Sequence, residues 1–142
     1  MQNSEYLTNV TLRLERLLVF KQVFTEYINT CENILRGNCL ASESFQNLRD
    51  YFMRNMLRFK PLVSEFMHHE APARYSVLEG DLRKFVTAYD EAISRLLNAI
   101  EDSRLNETNF ERAKADQADA LEAIDSVFID RIHIENGDLR VS

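Results

Sequence analysis

The chain has 142 residues, 45% of them hydrophobic and 28% charged, which is typical of one globular domain and argues against disordered or collagen-like structure. Its net charge of −6 disfavours nucleic-acid binding, because proteins that bind phosphate backbones usually need a basic face. No apolar run approaches the ~18 residues of a membrane span, and no secretion signal is evident at the start, so we expect a cytoplasmic protein without a membrane partner.

A seven-residue repeat predicts the first helix over residues 4–36. Three adjacent stripes form an apolar face too wide for a two-stranded coiled coil, so this helix should contact more than one neighbour. Cys31 is interpreted as a small core residue, and Gly37-Asn38 as a left-handed helix end. The stripes are Leu7, Leu14, Lys21, Ile28 and Leu35; Val10, Leu17, Phe24 and Cys31; and Tyr6, Arg13, Phe20, Tyr27 and Ile34.

The second helix is predicted over residues 42–69, where phenylalanines recur every seven residues. Because aromatic side chains dominate core burial at this spacing, we interpret them as a core stripe and not as an aromatic ligand site. Pro61 removes one backbone hydrogen bond, and the repeat continues on both sides of it, so we expect a kink there. The phenylalanines are Phe45, Phe52, Phe59 and Phe66.

Two further amphipathic helices are predicted over residues 76–103 and 108–132. Each begins with a sequence typical of a capping box, Ser76 to Glu79 in the first and Thr108 to Glu111 in the second. Short connections between amphipathic helices favour antiparallel neighbours. The sequence therefore predicts a single-domain, all-α, antiparallel four-helix bundle.

The tail breaks the helical pattern. Residues 132–141 alternate apolar and polar side chains around Asn136-Gly137, which favours a short C-terminal β-hairpin. Such a hairpin would either cap the bundle or pair with another chain. The alternative is that the fourth helix continues past residue 132 into a frayed end. The hairpin would place on one face Ile132, Ile134, Leu139 and Val141.

Acidic residues are concentrated near the fourth helix, where nine acidic and three basic residues lie between Glu101 and Asp130. Such a run is often just a solvated helix face. The functional interpretation is an acidic docking face for a basic protein partner. The electric field of the acidic residues would steer the approach of that partner. The slightly basic second helix would complement it within one chain or between two. The surface residues concerned are Asp116, Asp119, Glu122 and Asp125.

A carboxylate-bridged metal site is the sharpest alternative. Bundle proteins of this type use a Glu and a His three residues apart on facing helices. A core role for Phe66 and the use of Asp in the second motif count against it, so no metal or other cofactor is predicted. The residues that would form the site are Glu65, His68, Asp130 and His133, completed by Glu79 or Glu15.

No catalytic residues are predicted, because neither cysteine has an evident acid–base partner and no phosphate loop or serine elbow occurs. We expect a non-enzymatic protein–protein interaction module, an adaptor, chaperone or regulator, that acts through helix faces as a homodimer. Its interaction surface would comprise the acidic residues and the tail residues named above. The alternative function is a ligand- or metal-binding bundle, which would use the Glu65/His68 end or core polar groups such as Lys21 and Asn55.

Overall fold

The chain folds as an all-α helical bundle, as predicted. The computed structural model describes residues 2–37, 44–101 and 104–128. Within these ranges the extended structure is limited to one isolated antiparallel bridge, between Ile100 and Leu105. The helical elements are α1 (Asn3–Leu35), α2 (Phe45–His68), a 3₁₀ turn (Ala73–Tyr75), α3 (Ser76–Ala99) and α4 (Glu107–Val127).

Consecutive helices run antiparallel. Contacts between α1 and α2 move from Arg16–Glu65 to Phe24–Phe52, so the residue number rises on one helix as it falls on the other. Ion pairs join the helices in the cyclic order α1, α2, α3, α4, which places α1 diagonally across from α3. These pairs are Arg16–Glu65 (2.7 Å), Lys60–Asp90 (2.7 Å), Arg95–Asp116 (2.9 Å) and Lys114–Glu32 (3.1 Å).

The core is built around the phenylalanine stripe of α2. Phe52, Phe59 and Phe66 are fully buried and Phe45 is half-buried against the core, which confirms the stripe as a core stripe. The Phe59 ring meets Phe24 and Tyr89 nearly edge to face, with centroid distances of 5.5 and 5.8 Å. This geometry is favourable for aromatic pairs and ties α1, α2 and α3 together.

Pro61 lies inside α2, which continues as one helix to His68. The residue is exposed, so its ring faces solvent and not the packed core. A proline inside a helix removes one hydrogen bond without necessarily ending it. The structure therefore agrees with a continuous helix, while the kink itself stays a prediction.

The start of α3 differs from the predicted capping box. Ser76 is the first helical residue, and its hydroxyl donates to the carbonyl oxygen of Ala73 at 3.1 Å. The carboxylate of Glu79 binds Arg13 of α1 and not the amides of its own first turn. The predicted cap is wrong because a tertiary partner takes the side chain that the local motif would have used.

Other helix ends show how local polar groups set the boundaries. The side chain of Asn106 accepts from the N–H of Asn109 at 3.1 Å and caps α4, so the capping box predicted to start at Thr108 is wrong. Helix α3 ends at Ala99, before the predicted end near residue 103. Gly37 has φ of 72°, which confirms the left-handed end of α1.

Some predictions fall outside the described residues. They include the hairpin over 132–141 with its apolar residues Ile132, Ile134, Leu139 and Val141, and the predicted ligands Asp130 and His133. No helix in the described ranges is long and apolar enough to cross a bilayer.

Candidate functional site

A buried ion pair joins α1 to α3 across the bundle. Two nitrogens of the Arg13 guanidinium donate to the two carboxylate oxygens of Glu79, at 2.6 and 3.0 Å, and both side chains are 2% exposed. The third guanidinium nitrogen, Nε, donates to Asn9 Oδ1 at 2.8 Å. The guanidinium carbon of Arg13 lies over the Phe66 ring, 4.7 Å from the ring centroid. Such bidentate geometry fixes both side chains.

Aromatic groups surround this pair. The Tyr6 ring stacks on Tyr75 with a centroid distance of 4.9 Å and lies 6.1 Å from the ring of His69. Burial, aided by the charge of Glu79, raises the pKa of the Tyr6 hydroxyl, so this group stays protonated. Burial, aided by the charge of Arg13, lowers the pKa of His69. The imidazole is therefore neutral at physiological pH.

An open groove lies beside the ion pair, between α1 and the last turns of α2. Its volume is about 760 Å³, and its walls carry both acidic and basic side chains. Arg16 and Glu65 form a partly exposed ion pair at 2.7 Å within it. The groove is lined by Asn9, Leu12, Arg13, Glu15, Arg16, Val19, Glu65, His68 and His69.

The structure brings Glu65, His68 and Glu15 to this groove, as the metal hypothesis requires, but Glu65 and His68 have other partners there. Glu65 is paired with Arg16, and His68 Nδ1 lies 2.9 Å from the carbonyl oxygen of its neighbour one turn earlier. Glu79, the other proposed ligand, is bound to Arg13. Over the described ranges, no three His, Cys, Asp or Glu side chains are grouped to hold a metal.

Asn55 and Lys21, the two polar residues considered as ligand contacts, lie in surroundings that indicate structural roles. Asn55 Nδ2 lies 2.6 Å from the hydroxyl oxygen of Tyr27 and donates to the carbonyl oxygen of Tyr51 at 3.1 Å. Lys21 is half-buried beside a cavity of about 80 Å³ between α1 and α4. Asn55 is therefore placed to fix the register of α1 against α2. Lys21 is placed so that its aliphatic stem covers apolar surface.

The predicted acidic residues are on the solvent-facing side of α4, with Asp125 at its edge, where it lines the cavity between α1 and α4. Asp119, Glu122 and Asp125 are exposed, and no ion pair is recorded for them among the described residues. Asp116, by contrast, accepts a hydrogen bond from Arg95 at 2.9 Å. The opposite side of α4 is buried in the core, so the helix holds these three carboxylates, the acidic face of α4, along one surface.

Sequence reasoning missed an exposed apolar patch on α1. Leu12 and Val19 are 55% and 60% exposed and border the open groove, whereas Leu18, which is 48% exposed, lies on another side of the helix beside the cavity between α1 and α4. Leu12 and Val19 belong to a fourth seven-residue stripe, with Glu5 and Glu26 at its ends. The seven-residue spacing of Leu12 and Val19 was the sequence signal that could have revealed this patch.

The buried role of Arg13 was also missed. Its position in an apolar stripe was visible, but the same was true of Lys21, which stays half-exposed.

In comparisons with known proteins, no protein-family model, curated protein or solved structure matches the chain. Its function is therefore inferred from its own residues.

Proposed function

We propose that this chain is a non-enzymatic protein–protein interaction module, an adaptor, chaperone or regulator, that binds a basic partner through the acidic face of α4. The observation that carries the proposal is the exposure of Asp119, Glu122 and Asp125 without a recorded ion pair in the described part of the chain. The buried side of α4 anchors these carboxylates on a packed helix. A partner then meets a preformed surface.

The expected binding is electrostatic and sensitive to salt. Neighbouring carboxylates of one sign sum their potentials, which attracts a basic surface and speeds its approach. Because these groups are exposed, their desolvation cost is small, and each contact contributes only about 0.2–1 kcal/mol. Screening acts over ~8 Å at physiological ionic strength, so the affinity should fall as salt is added.

The remaining polar groups support a non-enzymatic role. Arg13 and Glu79 saturate each other, and Arg16 and Glu65 are paired in the groove. Burial raises the pKa of the Cys31 thiol to about 12, so little of the nucleophilic thiolate exists at neutral pH.

The proposal includes a cytoplasmic location and a homodimeric state. The free, buried thiol of Cys31 suits a reducing compartment. The tail residues Ile132, Ile134, Leu139 and Val141 remain a predicted second part of the interaction surface.

The experiment measures the binding of a fluorescein-labelled decalysine peptide by fluorescence anisotropy at low and physiological salt. Neutralising Asp119, Glu122 and Asp125 with Asn or Gln should weaken binding about tenfold, since three contacts of 0.2–1 kcal/mol are lost. The control neutralises three exposed acidic residues elsewhere, with the same change in net charge: Asp50→Asn, Glu70→Gln and Glu91→Gln. Equal losses in both variants, or no binding by the original chain at low salt, would contradict the proposal.

A further inference from the structure

The exposed patch on α1 combines apolar side chains with charges of both signs. Leu12 and Val19 lie near the centre of the outer face of α1, and both border the open groove. Between them along the helix are Glu15 and Arg16, which are also exposed. An apolar pair flanked by one acidic and one basic residue can complement itself under two-fold symmetry.

We propose that two copies of this chain associate through the outer face of α1, with the two helices antiparallel. In a pair centred between positions 15 and 16, Leu12 of each copy faces Val19 of the other. The same register places Glu15 of each copy opposite Arg16 of the other. This inference names the surface that forms the homodimer and rests on the homodimeric part of the proposed function.

The groove gives this contact a concave wall. Leu12, Arg16 and Val19 line the groove. The exposed apolar side chains of one copy can therefore enter the groove of the second copy. Arg16 already donates through Nη1 to Glu65 at 2.7 Å. Because a guanidinium carries five N–H donors, it can keep this bond and also bind Glu15 of the second copy.

The exposed apolar residues of α2 fit a second copy less well. Leu57 is 66% exposed and lies at the centre of the outer face of α2. An antiparallel two-fold pairing about Leu57 would bring Arg54 opposite Lys60 of the second copy, and like charges in contact are unfavourable. The outer face of α1 therefore has the better charge complementarity.

The interface would be small, since it covers about two turns of each helix. Specific interfaces usually bury about 800 Å² per partner, and smaller ones give weak or transient complexes. We expect a dissociation constant in the micromolar range, with the dimer populated at the upper end of the protein concentrations tested.

Sedimentation velocity over roughly 5–500 µM protein at physiological salt tests the inference. The original chain should show a concentration-dependent dimer, and the double variant Leu12→Glu, Val19→Glu should raise the dissociation constant at least tenfold. The control, Met53→Glu with Leu57→Glu, makes the same chemical change at exposed positions of α2 and should leave the dimer intact. Circular dichroism checks that each variant keeps its helices.

A charge exchange tests the register. Glu15→Arg and Arg16→Glu should each weaken the dimer, because like charges then face each other, and the double exchange should restore it. A dimer that survives the α1 variant, or a double exchange that fails to rescue, overturns this interface while leaving the homodimer proposal standing. A monomer throughout the range overturns both, whereas binding of decalysine to α4 is judged separately.

Discussion

Removing one partner of the buried Arg13–Glu79 pair should strongly destabilise the protein. The informative change is Glu79→Gln, which keeps the shape of the side chain and removes its charge. The Arg13 guanidinium, which is 2% exposed, would then stay buried beside the neutral carboxamide, Tyr6, Asn9 and Phe66, with no counter-charge. A buried charge without a counter-charge keeps its desolvation cost and loses the attraction that offset it.

The expected loss is about 3–5 kcal/mol, the usual cost of breaking a buried pair by removing one partner. This is a large part of the ~5–15 kcal/mol that stabilises a typical domain. With a urea dependence of about 2 kcal/mol per molar, the unfolding midpoint should fall by roughly 1.5–2.5 M. Equilibrium unfolding in urea at pH 7, followed by far-UV circular dichroism, measures this shift.

Two further variants make the prediction refutable. In the double variant Arg13→Met, Glu79→Leu both charges are absent, so its loss of stability should be far smaller than the sum of the single losses. Glu65→Gln breaks the exposed pair with Arg16 and should cost no more than about 1 kcal/mol. If Glu79→Gln costs no more than Glu65→Gln, the Arg13–Glu79 pair is not desolvated and the reasoning is wrong.

Two other predictions concern His69 and Cys31. His69 has a lowered pKa in the folded chain, so the unfolded chain binds a proton first and the free energy of unfolding should decrease as pH falls below ~6.5. Urea unfolding between pH 5 and 8 should show a weaker pH dependence in His69→Gln, and an unchanged dependence would refute this role. The Cys31 thiol is buried and has a pKa of about 12, so in a Cys39→Ser background it should react with Ellman's reagent at least about 100-fold more slowly when folded than in denaturant. Equal rates would show that Cys31 is accessible.

The architecture was predictable because large apolar side chains recur at helical spacing over most of the chain. The stripe through Phe52, Phe59 and Phe66 identified both a helix and its buried face. Helix ends were less predictable, because a capping side chain can be taken by a distant residue. Glu79 fits a local cap by sequence alone, yet Arg13, on a different helix, binds its carboxylate.

The candidate site was predictable only where it depends on one helix. The spacing of Asp119, Glu122 and Asp125 puts them on a common face of α4 in any helical structure. The groove and the buried ion pair depend on how α1 meets α2 and α3, which the periodicity of one segment does not contain. Leu12 shows the same limit, since its seven-residue spacing with Val19 predicts a shared helix face but not whether a neighbour covers that face.

The order of the helices bears on how the acidic charge of α4 is neutralised. The basic residues Arg54 and Arg58 lie on the exposed side of α2, which packs against α1 and α3. Helix α4 packs most closely against α3, and the ion pairs recorded for its described residues go to Arg95 of α3 and Glu32 of α1. Because α2 and α4 lie on opposite corners of the bundle, the basic side of α2 does not neutralise the acidic face of α4 within one chain. In the proposed function, this complementary charge comes from the basic partner.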